Sequence, residues 1–173
     1  MKATSKIDVT AFLLKWDGKT LGPIDIALAQ AGRIDLQRGG RCALDSFTIK
    51  SSVMTVDACG DVTDAMNKVL MAGRAAFTVK IFPDALSAKL APLLEGCSLG
   101  GSEIVMTGEA SFQGPKAEVK GRVNAPFLKA GGPALIASNF KEAVFAFNVA
   151  AHTETMAVDI RELALTCGTI SAT

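Results

Sequence analysis

Several residue types that mark particular activities are scarce in this chain of 173 residues. It contains no tyrosine, one tryptophan and one histidine, so it offers few aromatic platforms for stacking on bases or sugars and few candidate catalytic bases. Charged residues make up only 20% of the chain, and 18 basic side chains balance 17 acidic ones. A net charge of +1 without a basic stripe argues against a surface that binds nucleic-acid phosphates.

Long apolar runs and nucleotide-binding motifs are also missing. No run approaches the ~20 apolar residues that a membrane-spanning helix needs, and no apolar signal core follows Met1. The GxGxxG and GxxxxGK patterns are absent, which removes the usual local signatures of dinucleotide and phosphate-loop sites. The glycine-rich segment Gly96–Gly101 (GCSLGG) is predicted to be the turn between a helix and a strand, which is not the setting of a hydrolase nucleophile. Because strand-like patterns reach both ends of the chain, we expect residues 1–173 to be a single β-rich segment of a longer protein.

Cysteine is present but not in metal-binding patterns. The four cysteines, Cys42, Cys59, Cys97 and Cys167, are widely spaced and form no CxxC pair. A zinc site usually combines closely spaced pairs of ligands, so we expect no metal and no cofactor. If the chain is exported, one or two disulfides are an alternative. The simpler interpretation is that these cysteines are small buried apolar residues.

The chain is instead rich in aliphatic residues arranged with a period of two. Hydrophobic residues make up 49% of the sequence, aromatics only 6%, and the mean hydropathy is +0.33, which excludes a disordered chain. Apolar and polar residues alternate most clearly over residues 116–127, which is typical of a strand with one dry face. A second alternating run covers residues 104–112. Gln113-Gly114-Pro115 between the two runs predicts a hairpin.

Two segments depart from this alternation. Pro83-Asp84 followed by leucines at helical spacing predicts one short helix near residues 84–94, which should end or kink near Ala91 because Pro92 lacks a donor. The segment from Asp61 to Leu70 stays open between a short helix and an irregular strand.

The remaining runs predict nine to eleven strands, with a break or bulge near Ser51-Ser52, where the apolar face changes. Parallel strands need long crossovers, and these are nearly absent. The predicted fold is therefore mainly β, an antiparallel meandering sheet of about ten strands. We expect it to curl into an open groove or half-barrel.

Polar residues give little support to catalysis. His152 lies in a predicted hairpin tip, where an exposed turn residue is a simpler interpretation than a general base. The acidic residues Glu103, Glu109 and Glu118 face basic neighbours, and cross-strand charge pairs on a solvated face explain them without a carboxylate active site. We expect no enzyme activity, although a polar pocket around His152 or this acidic hairpin would favour one.

The apolar face of the predicted sheet is the strongest positive feature, because one short helix cannot cover ten strands. The sheet either folds into a sandwich or barrel with a self-covered core, or keeps an open trough for an apolar ligand. The candidate residues that would line such a trough are Phe77, Val79, Met106, Phe112, Val119, Val123, Phe127, Phe145, Phe147, Met156 and Val158.

The order of segments adds a family resemblance. Over roughly residues 43–170, a strand pair leads through a small-residue step to a further strand, a leucine helix and a two-strand hairpin; these parts are Phe47–Ser52, Met54–Val62, Ala75–Phe82, Asp84–Gly96, Ser102–Gln113 and Ala117–Ala125. This order resembles the AsmA-like family of bacterial envelope proteins, which includes TamB. The chain departs from the family in its four cysteines and in lacking the usual N-terminal membrane anchor.

The resemblance implies a repeating β-groove in the periplasm, anchored in the inner membrane by segments outside this chain. Such a groove would shield the acyl chains of phospholipids or other lipids during lipid transport or outer-membrane biogenesis. It also implies no catalytic residues, no nucleic-acid partner and pairing of the edge strands with neighbouring modules. The alternative from a different class is a structural or adhesive β-sandwich module with a self-covered core and no ligand.

Overall fold

The computed structural model describes residues 1–16, 19–35, 37, 40–67, 69–94, 96–132 and 135–172. These residues form eleven strands and one helix, which confirms the predicted mainly β fold with a single short helix. In chain order the elements are β1 (Lys2–Trp16), β2 (Lys19–Asp35), β3 (Arg41–Ser51), β4 (Met54–Thr63), β5 (Ala72–Ile81), α1 (Pro83–Leu94), β6 (Ser98–Gly101), β7 (Ile104–Gln113), β8 (Lys116–Gly132), β9 (Leu135–His152), β10 (Ala157–Thr166) and β11 (Thr169–Ala172).

All eleven strands belong to one antiparallel sheet with the order β1-β2-β3-β4-β5-β7-β8-β9-β10. The short strand β6 pairs with β8 beyond the end of β7, and β11 pairs with β9 beyond the end of β10. The sheet therefore has nine strand positions. In the described part of the chain β1 pairs only with β2, and β10 pairs only with β9, so the sheet is open and is not closed into a barrel.

Local signals account for the turns between strands. The predicted break at Ser51-Ser52 is the β3–β4 hairpin, in which the Ser51 hydroxyl accepts hydrogen bonds from the backbone N–H of Val53 and Met54 at 3.3 and 3.1 Å. The bulge lies elsewhere, since the register of β3 shifts by one residue around Asp45 against both neighbouring strands. The predicted hairpin at Gly114-Pro115 is confirmed between β7 and β8.

The helix lies at the end of the middle strands, where β5 stops at Ile81, and packs against β2 and β6. Near its start the Ser87 hydroxyl accepts a hydrogen bond from Leu99 N at 3.0 Å, and further along Lys89 Nζ donates to the carbonyl of Pro23 in β2 at 2.7 Å. The predicted bounds near residues 84–94 are confirmed, since α1 ends at Leu94; an end already near Ala91 is wrong, because Pro92 lies inside the helix. Pro92 lies in the last turn, where the loss of one backbone donor interrupts little of the helix.

The ambiguous segment after Asp61 is partly strand and partly turn. Strand β4 continues to Thr63, and Asp64 then adopts a left-handed backbone conformation with φ of 52°. The Asn67 side chain accepts a hydrogen bond from Val69 N at 3.1 Å and so stabilises the turn. Met66, Val69 and Leu70 are exposed in this turn, so their helical spacing reflects no buried helix face.

The described residues contain very little enclosed core. Val53 and Ala125 are the buried hydrophobic residues among them, and Pro83, at the start of α1, has the largest fully buried side chain. Two packed sheets would enclose many more. The self-covered sandwich expected as the alternative is therefore not what this part of the chain forms.

Phenylalanine rings pack directly over glycines at the centre of the sheet. In one cross-strand row Phe77 is opposite Gly108 in β7, Gly108 is opposite Gly121 in β8, and Gly121 is opposite Phe147 in β9. A Cβ atom added at Gly121 would lie 2.6 Å from Cζ of Phe147 and 2.8 Å from the carbonyl oxygen of Thr107. Because a backbone oxygen cannot move aside cheaply, the ring and the ladder together require glycine at this position.

We predict that Gly121→Ala destabilises the fold by about 1–3 kcal/mol, the usual cost of overpacking. Gly131→Ala in the same strand is the matched control, because a Cβ there meets only the Ser98 hydroxyl at 3.4 Å. Urea denaturation followed by far-ultraviolet circular dichroism measures both. Equal unfolding midpoints for the two variants would contradict the packing described.

Candidate functional site

One face of the sheet is mainly apolar, with Ser5 and Gln30 of β1 and β2 as polar residues on it. Residues directly opposite each other in neighbouring strands share a face, so the pairing register sorts side chains into rows that run across the strands. A central row crosses all nine strand positions without a polar residue; its members are Ile7, Leu28, Ile49, Val56, Val79, Met106, Val123, Phe145 and Leu165.

Three further rows lie parallel to the central row on the same face. The next one holds the glycine–phenylalanine contacts and contains Phe47, Ala58, Phe77, Gly108, Gly121, Phe147 and Leu163. Phe147 stacks on Phe145 of the central row, with ring centroids 6.0 Å apart. The third and fourth rows contain Leu44, Gly60, Ala75, Ala110, Val119, Val149 and Ile160, and Cys42, Val62, Gly73, Phe112, Ala117, Ala151 and Val158. We call these four rows the apolar trough.

The apolar trough is concave at the end away from α1. A cavity of about 510 Å³ there touches residues of strands from β1 to β7, among them Ile34, Cys42, Leu44 and Phe112. In a flat sheet, strands as far apart in the strand order as β1 and β7 would not line the same cavity. Twelve of its eighteen lining residues are apolar or small, so most of the lining suits a hydrocarbon ligand; the polar ones are Thr4, Ser5, Gln30, Arg33, Asp61 and Arg74.

The structure brings together nine of the eleven predicted trough residues. The nine lie in the four rows: Phe77, Val79, Met106, Phe112, Val119, Val123, Phe145, Phe147 and Val158. Phe127 lies further along β8, opposite Lys141, with Lys129 Nζ 5.3 Å from its ring centre. Met156 is in the turn between β9 and β10 and is 84% exposed, so it does not line the trough.

The predicted set omitted the third of the trough residues that the first four strands contribute. Leu28, Ile49 and Val56 belong to the central row, and Leu44 and Val62 line the concave end. The alternation of these residues is visible in the sequence. Their membership of one row depends on the strand register and on the bulge at Asp45, which only the structure supplies.

The trough is most exposed at the two edges of the sheet. Phe77, Val79, Met106 and Val123 in the middle are half-buried by one another. At the edges, Ile7 of β1 is 54% exposed and Leu165 of β10 is 72% exposed. Contiguous apolar exposure on this scale is unusual for a protein surface, which makes the trough the candidate functional site.

The opposite face is polar and its charges are paired. Glu109 contacts Lys120 across β7 and β8 at 3.1 Å, Glu103 contacts Lys80 at 3.2 Å, and the third acidic residue, Glu118, contacts Arg161 at 3.1 Å. Cross-strand charge pairing therefore accounts for all three acidic residues considered as catalytic candidates.

Two arginines on the polar face are also held by aspartates. Arg33 binds both carboxylate oxygens of Asp45, and Arg74 binds Asp61 at 3.0 Å. The hydrogen bond to each aspartate, followed by its charge, raises the pKa of the arginine. These pairs keep the polar face close to charge balance.

The polar face has concavities of its own, because a twisted sheet curves toward both faces along its two diagonals. One of them, about 770 Å³, is lined by polar-face residues including Thr78, Glu109 and Lys120, and it also touches Phe47, Phe77 and Phe147. His152 is not the exposed turn residue expected: it is the last residue of β9, half-buried, and its Nδ1 has no hydrogen-bond partner among the described residues.

The cysteines differ from the expectation that all four are buried. Cys59, Cys97 and Cys167 are exposed, and Cys42 is half-buried in the trough, so that interpretation is wrong for three of them. No disulfide joins them in the described part of the chain. Cys42 and Cys59 lie on opposite faces of the sheet, because Cys42 is opposite Val62 and Cys59 is opposite Ala76, next to Glu109.

Among the described residues, no helix has both the length and the apolar character needed to cross a membrane. Comparison with protein-family models, with curated protein sequences and with solved structures finds no match to this chain.

Proposed function

We propose that the apolar trough binds the acyl chains of a phospholipid or another lipid, as part of a protein that moves lipid or helps to build an outer membrane. The observation that carries the proposal is the central row, an unbroken line of apolar side chains across nine strand positions that the rest of the described chain leaves uncovered. A single helix of twelve residues is about 18 Å long, whereas nine strand positions span roughly 38 Å.

The energetics of such a site need no directional contacts. Each methylene removed from water contributes about 0.8 kcal/mol. A trough that covers one side of ten methylenes, and so buries roughly half of their surface, would contribute about 4 kcal/mol. This attraction depends on the continuity of the apolar lining, so a hydrocarbon chain can lie at many positions along it.

The direction of the rows suggests how a lipid would lie. The rows run across the strands, so the long axis of the trough is perpendicular to the strands. An acyl chain placed along a row would contact the same type of surface from β1 to β10. That arrangement suits passage along the sheet better than enclosure in a fixed pocket.

The cellular setting follows from the family resemblance alone. Under it the chain is an AsmA-like module that works in the periplasm, held at the inner membrane by segments outside these residues. The trough would then be one stretch of a longer groove. Catalytic residues play no part in this proposal.

We predict that Val123→Glu abolishes lipid binding, because it puts a carboxylate in the middle of the central row. Asn124→Glu is the matched control, since it adds the same charge at the next position of β8, on the exposed opposite face. Affinity for a fluorescent fatty acid should fall at least about tenfold in the first variant and stay unchanged in the second. Native mass spectrometry of the purified chain gives an independent measure of bound lipid.

Equal affinity in the two variants, with both folded by circular dichroism, would disprove the trough as the lipid site. Absence of binding in the unaltered chain would disprove the function itself.

A second prediction uses the native cysteines on the two faces. Two single-cysteine variants keep Cys42 or Cys59 and carry serine at the other three positions. A polarity-sensitive fluorophore on Cys42 should shift to shorter wavelength when lipid is added, because the trough around it becomes drier. The same label on Cys59 should not respond. A response at Cys59 alone would place the ligand on the polar face and contradict the proposal.

A further inference from the structure

Strand β1 is an open sheet edge fifteen residues long, and its hydrogen-bonding groups on one side have no partner strand in the described part of the chain. Met1 and Ile34 exchange both backbone hydrogen bonds, at 2.8 and 2.9 Å. Pairing then continues in unbroken register from Lys2 to Val9. Exposed edges of this length associate with other strands unless something blocks them.

The Met1–Ile34 pair fixes which backbone groups of β1 point outward. Hydrogen-bonded pairs alternate along an antiparallel ladder, so residues 3, 5, 7 and 9 also bond to β2. The backbone N–H and C=O groups of residues 2, 4, 6 and 8 therefore point away from the sheet; the register shifts between Val9 and Phe12, so this alternation ends at Val9. The side chains of these four residues lie on the polar face, because Ile7 between them belongs to the central row.

The charges on this edge differ from those of an edge strand that is protected against pairing. Lysine on an edge normally discourages pairing. Here Lys6 is followed two residues later by Asp8 on the same face, and the two side chains form an ion pair of 3.0 Å while staying 71% and 53% exposed. An edge that carries both signs two residues apart can complement a second copy of itself.

We propose that two copies of this chain pair through their β1 edges, antiparallel, about a two-fold axis at Ile7. In this register Lys6 faces Asp8 of the partner subunit, and Asp8 faces Lys6 of the partner subunit. Lys6 and Asp8, whose backbone groups point outward, therefore face each other in both copies. The inference does not rest on lipid binding.

Neighbouring registers are less favourable. A shift of the centre to residue 6 puts Lys6 opposite Lys6 of the partner subunit, and a shift to residue 8 puts Asp8 opposite Asp8 of the partner subunit. Like charges directly opposite each other destabilise a strand pair. A centre at residue 5 brings Lys2 opposite Asp8 of the partner subunit, but it leaves Lys6 opposite a threonine.

The pairing joins the two sheets without turning either over. A two-fold axis perpendicular to the sheet keeps odd-numbered residues of β1 on the same face in both copies. The central rows then meet at Ile7, which is exposed in the single chain. The dimer is one sheet of twice the width with one continuous apolar face.

Charge exchange at positions 6 and 8 tests the register. Lys6→Asp makes both positions acidic and Asp8→Lys makes both basic, so each variant alone should dimerise about tenfold more weakly than the unaltered chain. An equimolar mixture of the two variants should recover dimerisation, because opposite charges then face each other. The double variant K6D/D8K should also recover it. Sedimentation velocity of the 173-residue chain over a range of concentrations measures each case.

Glu162→Lys is the control at the other edge, because it changes charge by the same amount as Asp8→Lys but lies in β10. It should leave the dimer unchanged. Residue-resolved hydrogen exchange adds a second readout: the amides of residues 6 and 8 should gain protection as concentration rises.

Three results would overturn the inference. The first is an unaltered chain that stays monomeric at its highest soluble concentration. The second is a mixture of the two charge variants that associates no better than either alone. The third is a dimer weakened by Glu162→Lys and not by Lys6→Asp, which would place the contact on β10. Circular dichroism confirms that each variant is folded.

Discussion

The apolar face of the sheet is larger than the surface that the described chain supplies to cover it, and the rest of the structure depends on this difference in area. Nine strand positions carry an unbroken apolar row, while the described chain supplies a single helix of twelve residues, at one end of the sheet. A closed barrel or a second sheet would enclose that face, and the described residues form neither. Because of the hydrophobic effect, any apolar occupant that covers this face, whether hydrocarbon or protein, lowers the free energy of the system.

Small residues determine the shape of this face. Phe77 and Phe147 fold over the glycines of β7 and β8, so aromatic rings fill the space that larger side chains would occupy. The same contacts hold neighbouring strands in register, since a side chain at Gly121 would meet both a ring and a backbone carbonyl. Stability of the sheet and smoothness of the trough thus come from the same residues. The bulge at Asp45 performs a related task in β3, where it keeps both Leu44 and Phe47 on the apolar face.

Much of the fold could be predicted from the sequence because alternation directly reports a strand with one dry face. The β7–β8 hairpin and the strand count follow from alternation, whereas the position of α1 follows from Pro83-Asp84 and the spacing of its leucines. The predicted bounds near residues 84–94 match α1, and it does not end near Ala91 because Pro92 falls in a last turn that tolerates it. Met156 was wrongly placed because alternation continues into a turn that contains no strand. The part of the trough in the first four strands was missed because rows across a sheet depend on register, which follows from pairing between segments and not from any one segment.

We propose that a hydrocarbon chain lies on the apolar face of the sheet, along the rows of the trough. Photo-crosslinking with a fatty acid that carries a diazirine near its methyl end tests this most directly, with adducts located residue by residue by mass spectrometry. In β5, β7 and β8 we predict adducts at trough positions such as Val79, Met106 and Val123. We predict none at their neighbours Thr78, Thr107 and Asn124, which lie on the other face. Adducts on both faces alike, or mainly on the polar face, would contradict the proposed binding of hydrocarbon in the trough.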